Sequence, residues 1–287
     1  MPCGSRRPSA KLIELIALLP EVFAVRVPVS LLFKVTKVQR MARALEDIVT
    51  ERGYGAQPYP PFTGEADEER TVFCFPPVGG HGLVYRQLAA CLPEYALVAF
   101  NCVEGEGDVE HYADLTESLR ADGPCTRFGY SLGGNLAFEG AKGLERRGRE
   151  VADVVITDSY RISESFEFGD HHLAAFEHGL SGHLHRHTGS DLVARHTLEQ
   201  VREFIAFCSR SPGLGTVRAR ISVVSDQEEV PLYAADRPGS RPGASTTHAT
   251  MLPGFGSHAG MLDEEFVARN AEPTRRVLTG GDDRVLV

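Results

Sequence analysis

Gly129-Tyr130-Ser131-Leu132-Gly133 restricts the possible folds of this chain more than any other stretch. It follows a short apolar run, Cys125 to Phe128, and precedes a stretch of helical character, Asn135 to Arg147. A strand that turns sharply into a helix needs residues without a Cβ beside the turn, and two glycines flank Ser131. A serine held there sits in strained backbone, its hydroxyl exposed at the carboxyl end of a strand and at the positive end of a helix. A five-residue pattern also arises by chance as a plain strand-to-helix turn with an incidental serine. Chain order favours the chemical reading, because an aspartate follows the next apolar run and a histidine lies near the end.

The 287 residues are enough for one substantial core, and 42% hydrophobic with 24% charged residues is an ordinary globular composition. A net charge of −9 without a long basic stripe argues against nucleic acid as the main partner. The six cysteines, Cys3, Cys74, Cys91, Cys102, Cys125 and Cys208, show no CxxC spacing and sit mostly among apolar neighbours. That is the pattern of reduced thiols in a cytoplasmic protein, not of a disulfide framework or a zinc knuckle.

The stretch Leu12 to Phe33 is apolar, but Glu14, Pro20, Glu21, Arg26 and Pro28 interrupt it, so neither a membrane span nor a signal peptide is expected. Apolar residues at Leu12, Ile13, Leu15, Ile16 and Leu19 predict a buried helix limited by Pro20. Val38, Met41, Ala42 and Leu45 recur at helical spacing after Thr36. Glu51 to Arg70 then turns to glycine, proline and acidic residues, the composition of a solvated linker. The expected division is a helical segment over 1–50, a linker over 51–70 and the main domain over 71–287.

Within that domain short apolar runs alternate with helical periods. Strands are predicted at Thr71 to Phe75, Ala96 to Phe100, the run before Ser131, Val151 to Thr157 and Ile221 to Ser225, with helices at Gly82 to Leu92, Val109 to Arg120 and after Ser131. Such alternation requires crossovers and predicts a mostly parallel sheet buried on both faces, with ligands beyond the carboxyl ends of its strands. From about 159 to 216 the alternation stops, and Leu198, Val201, Phe204, Ile205 and Cys208 take helical spacing. A structureless loop of that length is uncommon, so the stretch is read as an inserted helical lid. His171, His172, His178, His183, His185, His187 and His196 fall in it, among glycines and serines that favour a solvated loop over a metal site.

A serine hydroxyl is a weak nucleophile that needs a base, and the base needs an acid to fix its tautomer. His258, on the glycine-loosened Gly254-Phe255-Gly256-Ser257-His258 after the last apolar run, Ala249 to Leu252, is the expected base. Two residues compete as the acid. Asp158 ends the run after the elbow, and Asp226 ends the following strand, the commoner position in hydrolases at large. An oxyanion hole needs two backbone N–H groups. Leu132 supplies one, and Val78, the first residue able to donate after Pro76-Pro77, is expected to supply the other.

From Phe73 to Leu262 the chain resembles terminal thioesterase domains of nonribosomal peptide synthetases, especially of the surfactin synthetase kind. The pieces that carry the likeness are Phe73-Cys74-Phe75-Pro76-Pro77-Val78, Phe128-Gly129-Tyr130-Ser131, Leu136-Ala137-Phe138-Glu139-Gly140-Ala141-Lys142, Thr157-Asp158-Ser159-Tyr160 and Gly254 to Leu262. The resemblance implies an α/β-hydrolase fold and selects Asp158 as the acid. It also implies an acyl or peptidyl chain that arrives on the phosphopantetheine arm of a carrier protein. That chain passes to Ser131 and leaves by hydrolysis or macrocyclisation, in antibiotic biosynthesis, with no cofactor of the enzyme's own. Over about fifty residues, Ser9 to Leu15, Phe23 to Val29 and Leu32-Phe33 resemble the later helices of a peptidyl carrier domain. Arg6-Arg7-Pro8 stand where that family has two glycines before its modified serine, so a truncated carrier-like segment with an unmodified Ser9 is expected. The rival readings are a stand-alone editing thioesterase that clears misprimed carriers and a carrier-binding module without chemistry.

Overall fold

The computed structural model describes residues 70–77, 82–100, 109–120, 122–159, 202, 215–225 and 248–280. All of them except Arg202 belong to a compact unit formed by Pro58–Glu167 and Phe204–Val287. The carrier-like segment with Ser9, most of the linker, Val78, nearly all of the expected lid with its histidines, and Asp226 lie outside the described residues.

Six strands form one sheet: β1 (Thr71–Phe75), β2 (Ala96–Ala99), β3 (Cys125–Tyr130), β4 (Val151–Thr157), β5 (Arg220–Ser225) and β6 (Ala249–Pro253). Their order is β2-β1-β3-β4-β5-β6, and every neighbouring pair is parallel. The sequence periods thus find their sheet. They extend to β6, which the sequence marks only as a final apolar run. Four α-helices accompany the described strands: α1 (Arg86–Cys91), after a 3-10 turn at Gly82–Tyr85, α2 (Val109–Leu119), α3 (Leu132–Arg146) and α4 (Val267–Leu278). The sequence pattern predicts one helix from Gly82 to Leu92 where the structure has a 3-10 turn and then α1, and it gives no signal for α4.

β1 is buried along its whole length, and its side chains alternate between two cores. Phe73 and Phe75 join Phe100 and the α2 and α3 residues Tyr112, Leu136, Phe138 and Leu144. Val72 and Cys74 join Tyr85, Leu88, Phe128 and the α4 residues Val267 and Ala271. Right-handed crossovers require this split. The chain adds β2 on one side of β1 and β3 then β4 on the other, so α1 must cover one face while α2 and α3 cover the opposite one. The connections after β1 and β3 therefore leave in opposite directions, which opens a crevice at their carboxyl ends.

Tyr85 stands at that crevice. Its buried phenol donates to the Phe75 carbonyl at the end of β1 and accepts the Tyr130 N–H of β3 at 3.0 Å. A side-chain hydroxyl thus continues the pairing of two strands past their last register pair, Phe75 with Gly129. Burial is the main reason its pKa is pushed well up, which keeps the phenol a donor.

Candidate active site

Ser131 leaves β3 with φ 56° and ψ −136° and occupies the N-cap position of α3. Serine at an N-cap ordinarily accepts from the first turn of the helix. Here the side chain makes no capping bond, and the backbone holds the turn instead: the Ser131 N–H donates to the Thr157 carbonyl at 3.0 Å and the Gly134 N–H to the Ser131 carbonyl at 2.9 Å. The motif glycines allow this because strand end and helix start touch backbone to backbone. A Cβ on Gly129 would collide with the Gly133 carbonyl, and one on Gly133 with the Phe75 carbonyl. α3 accordingly begins at Leu132, three residues earlier than its apolar period suggests.

The freed hydroxyl lies 3.1 Å from Nε2 of His258, and Nδ1 of His258 lies 2.7 Å from Oδ2 of Asp158. The three residues come from the ends of β3 and β4 and from the loop after β6. Asp158 turns out of β4 with φ 45°, its N–H donating to the Val224 carbonyl at 2.8 Å. The residue is 7% exposed, and its other carboxylate oxygen, Oδ1, accepts the Ser225 hydroxyl at 3.1 Å. With the proton of Nδ1 engaged by Asp158, Nε2 presents its lone pair to the Ser131 hydroxyl, the arrangement in which imidazole removes that proton. The Asp158 side chain is the buried end of the relay, while that of His258 remains half exposed.

Tyr130 holds the imidazole from the strand side. Its ring stacks on that of His258 with centroids 5.3 Å apart and planes 28° from parallel, and its hydroxyl donates to the His258 backbone carbonyl. Burial first, then the nearby Asp158 and Asp263 carboxylates, push the phenol pKa far up, so it stays a donor.

The sequence-derived Ser131, Asp158 and His258 are therefore brought together, and Leu132 is the first residue of α3, where N–H groups have no partner within the helix. Sequence reasoning missed two contributors. Tyr130 stands inside the motif, where the pattern assigns it no role. Ser225 enters the sequence reading only as the last residue of the strand Ile221 to Ser225, and a hydroxyl at the end of a central strand is the available signal. Among the described residues no group of metal-ligating side chains forms, and no helix is long and apolar enough to cross a membrane.

A family model for thioesterase domains matches residues 70–219. The chain belongs to the thioesterase domain family. This thioesterase is 35% identical over 211 residues to surfactin synthase subunit 3 of Bacillus subtilis (strain 168), an alignment that covers 72% of this chain and 16% of the relative. It is 27% identical over 288 residues to tyrocidine synthase 3 of Brevibacillus parabrevis, covering 94% of this chain and 4% of that one. The chain thus spans a small part of the length of the curated relatives it matches. Among solved structures it is similar to the thioesterase domain SrfTE, which cyclises the lipopeptide antibiotic surfactin, with 30% identity and a TM-score of 0.64 over 78% of this chain and 96% of that one. The parallel sheet with helices on both faces is the α/β-hydrolase fold of that neighbour.

Proposed function

We propose that this thioesterase releases a peptidyl or acyl chain from the phosphopantetheine thioester of a carrier domain, with Ser131 as nucleophile, His258 as base and Asp158 as acid. The observation that supports it most is the continuous relay from Asp158 Oδ2 through both nitrogens of His258 to the Ser131 hydroxyl, at 2.7 and 3.1 Å. The Ser131 Oγ attacks the thioester carbon and passes its proton to His258 Nε2. The Leu132 N–H, with that of Val78, receives the negative oxygen of the tetrahedral intermediate. The C–S bond then breaks, and the departing sulfur takes the proton from His258, which leaves an acyl ester on Ser131. Water, or an amine or hydroxyl of the acyl chain itself, attacks that ester and gives its proton to Nε2. The C–Oγ bond breaks, the Ser131 oxygen recovers the proton, and the product is a free acid or a ring.

The carrier comes into the proposal from the relatives, which are synthetase subunits far longer than this chain. SrfTE performs a cyclisation, and macrocyclisation enters here as one of two release modes on that likeness. Incubation with a peptidyl N-acetylcysteamine thioester, followed by mass spectrometry of the product, tests the reading. The expected result is thiol release with a linear acid or a ring, abolished when a fluorophosphonate has labelled Ser131. Absence of both labelling and thiol release would overturn it.

A further inference from the structure

The loop between β6 and α4 carries His258, yet little of its own sequence stiffens it. Gly254, Gly256 and Gly260 lie in it, and Gly256 adopts φ 91°. A loop of that composition does not by itself hold an imidazole in register with both a hydroxyl and a carboxylate, and catalytic constellations tolerate errors of only about 0.5 Å. Something outside the loop must close it.

Tyr130 holds the imidazole itself, and one side chain of α4 closes the neck of the loop. Asn270 of α4 accepts the Phe255 N–H on Oδ1 at 2.9 Å, and Nδ2 donates to the Phe255 carbonyl and to the Met261 carbonyl, each at 2.8 Å. Phe255 lies three residues before His258 and Met261 three residues after it, so the amide ties the neck of the loop symmetrically about the base. Both N–H groups of the amide are used, and the residue is 2% exposed. Of the common side chains of this size only asparagine presents one acceptor and two N–H donors on separate atoms, which the three bonds require. Aspartate would face two carbonyls without a proton to give.

We propose that Asn270 is a positioning residue for His258 in thioester cleavage, acting on the loop where Tyr130 acts on the ring, an assignment that rests on the relay proposed above. Its role is separable from the seating of the helix. α4 is anchored independently by Val267 and Ala271 in the core and by Arg275, which bonds Glu94 at 2.6 Å and the Cys91 carbonyl at 2.5 Å. Thr274, one turn further along, supplies an internal control. It is buried and its hydroxyl donates only locally, to the Asn270 carbonyl at 3.1 Å.

The test compares Asn270→Asp, Asn270→Ser and Thr274→Val in the full chain with a peptidyl N-acetylcysteamine thioester as substrate. The Asn270 variants that remain folded are expected to lose about 100-fold in kcat, the usual consequence of a misplaced catalytic group, with KM within about twofold. They are also expected to lose the low-field proton resonance of the His258 Nδ1–H, as Asp158→Asn is expected to. Thr274→Val is expected to lower Tm yet retain kcat and the resonance. A folded Asn270 variant with wild-type kcat, or a Thr274→Val that loses kcat in equal measure, would overturn the assignment. If Ser131→Ala retains turnover, the relay itself fails, which separates that outcome from a failure of Asn270 alone.

Discussion

At the N-cap of α3 the Ser131 hydroxyl points to an imidazole instead of a backbone N–H, so the residue gives up a local stabilisation of about 1 kcal/mol for a long-range contact. Ser131 and His258 share one proton in the proposed chemistry, and their losses should not add. Ser131→Ala and His258→Ala are each expected to reduce thioester turnover by roughly a millionfold, and the double replacement by little more. Steady-state rates of the three variants decide this, and simple additivity would contradict a shared relay. The acid is tested the same way. Asp158→Asn should leave the fold intact and slow turnover by about ten-thousand-fold, because an amide disturbs the tautomer of His258, while Asp226→Asn should be nearly silent. The reverse ranking would move the acid to Asp226. The 2.7 Å contact of Asp158 and the Ser225 hydroxyl behind it are the reasons for the order given.

At the scale of elements, α3 shows how the same substitution reverses sign along one helix. A Cβ on Gly133 would run into the Phe75 carbonyl, part of the rigid end of β1, whereas a Cβ on Gly143 would meet nothing closer than the Glu110 carboxylate at 3.5 Å. Gly143→Ala is therefore expected to stabilise by roughly 0.5–1 kcal/mol through reduced backbone entropy in the unfolded chain. Gly133→Ala is expected to destabilise by about 1–3 kcal/mol and to lower activity, since the strain falls on the turn that aims Ser131. Denaturant midpoints at constant m-value measure both. Two changes of the same sign would show that the close approach of β1 and α3 does not govern the turn.

At the scale of the whole molecule, Arg127 is the least expected resident of the core. It lies on β3, opposite Phe73 and Val154, with 0% exposure, and among the described residues none of its three guanidinium nitrogens finds an oxygen or nitrogen acceptor. Its guanidinium carbon sits 4.2 Å from the Phe75 ring centroid. The Cys125 thiol beside it, a weak acceptor, only partly offsets burial, which pulls the guanidinium pKa down to about 10. The folded state thus holds this proton less tightly than the unfolded chain, so the stability deficit is fully present below pH 10 and shrinks as pH rises above it. Replacing a buried charge of this kind by an apolar side chain of similar length is often neutral or stabilising, by about 1–4 kcal/mol. Arg127→Met should accordingly raise or preserve the denaturant midpoint at pH 8, and a loss beyond about 1 kcal/mol would mean that the cation over Phe75 is worth more than its desolvation costs.

The chain's own sequence determined the features that depend on short-range backbone chemistry. The strand, strained turn and helix around Ser131 follow from two glycines and the period change across them. The strands from β1 to β5 follow from apolar runs of strand length, and His258 follows from a glycine-loosened loop after the last such run. Tertiary structure decided the rest, because those choices depend on which strand lies beside which. Asp158 and Asp226 each end a strand, and only the placement of β4 between β3 and β5 brings Asp158 to an imidazole a hundred residues away. β6 has an ambiguous run until β5 pairs with it, and α4 is recognised by what it covers, the face of Val267 and Ala271. The roles of Tyr130, Ser225 and Asn270 arise from single hydrogen bonds and one ring contact between distant segments. Such contacts leave no periodicity in the sequence, since one side chain in the right place repeats nothing.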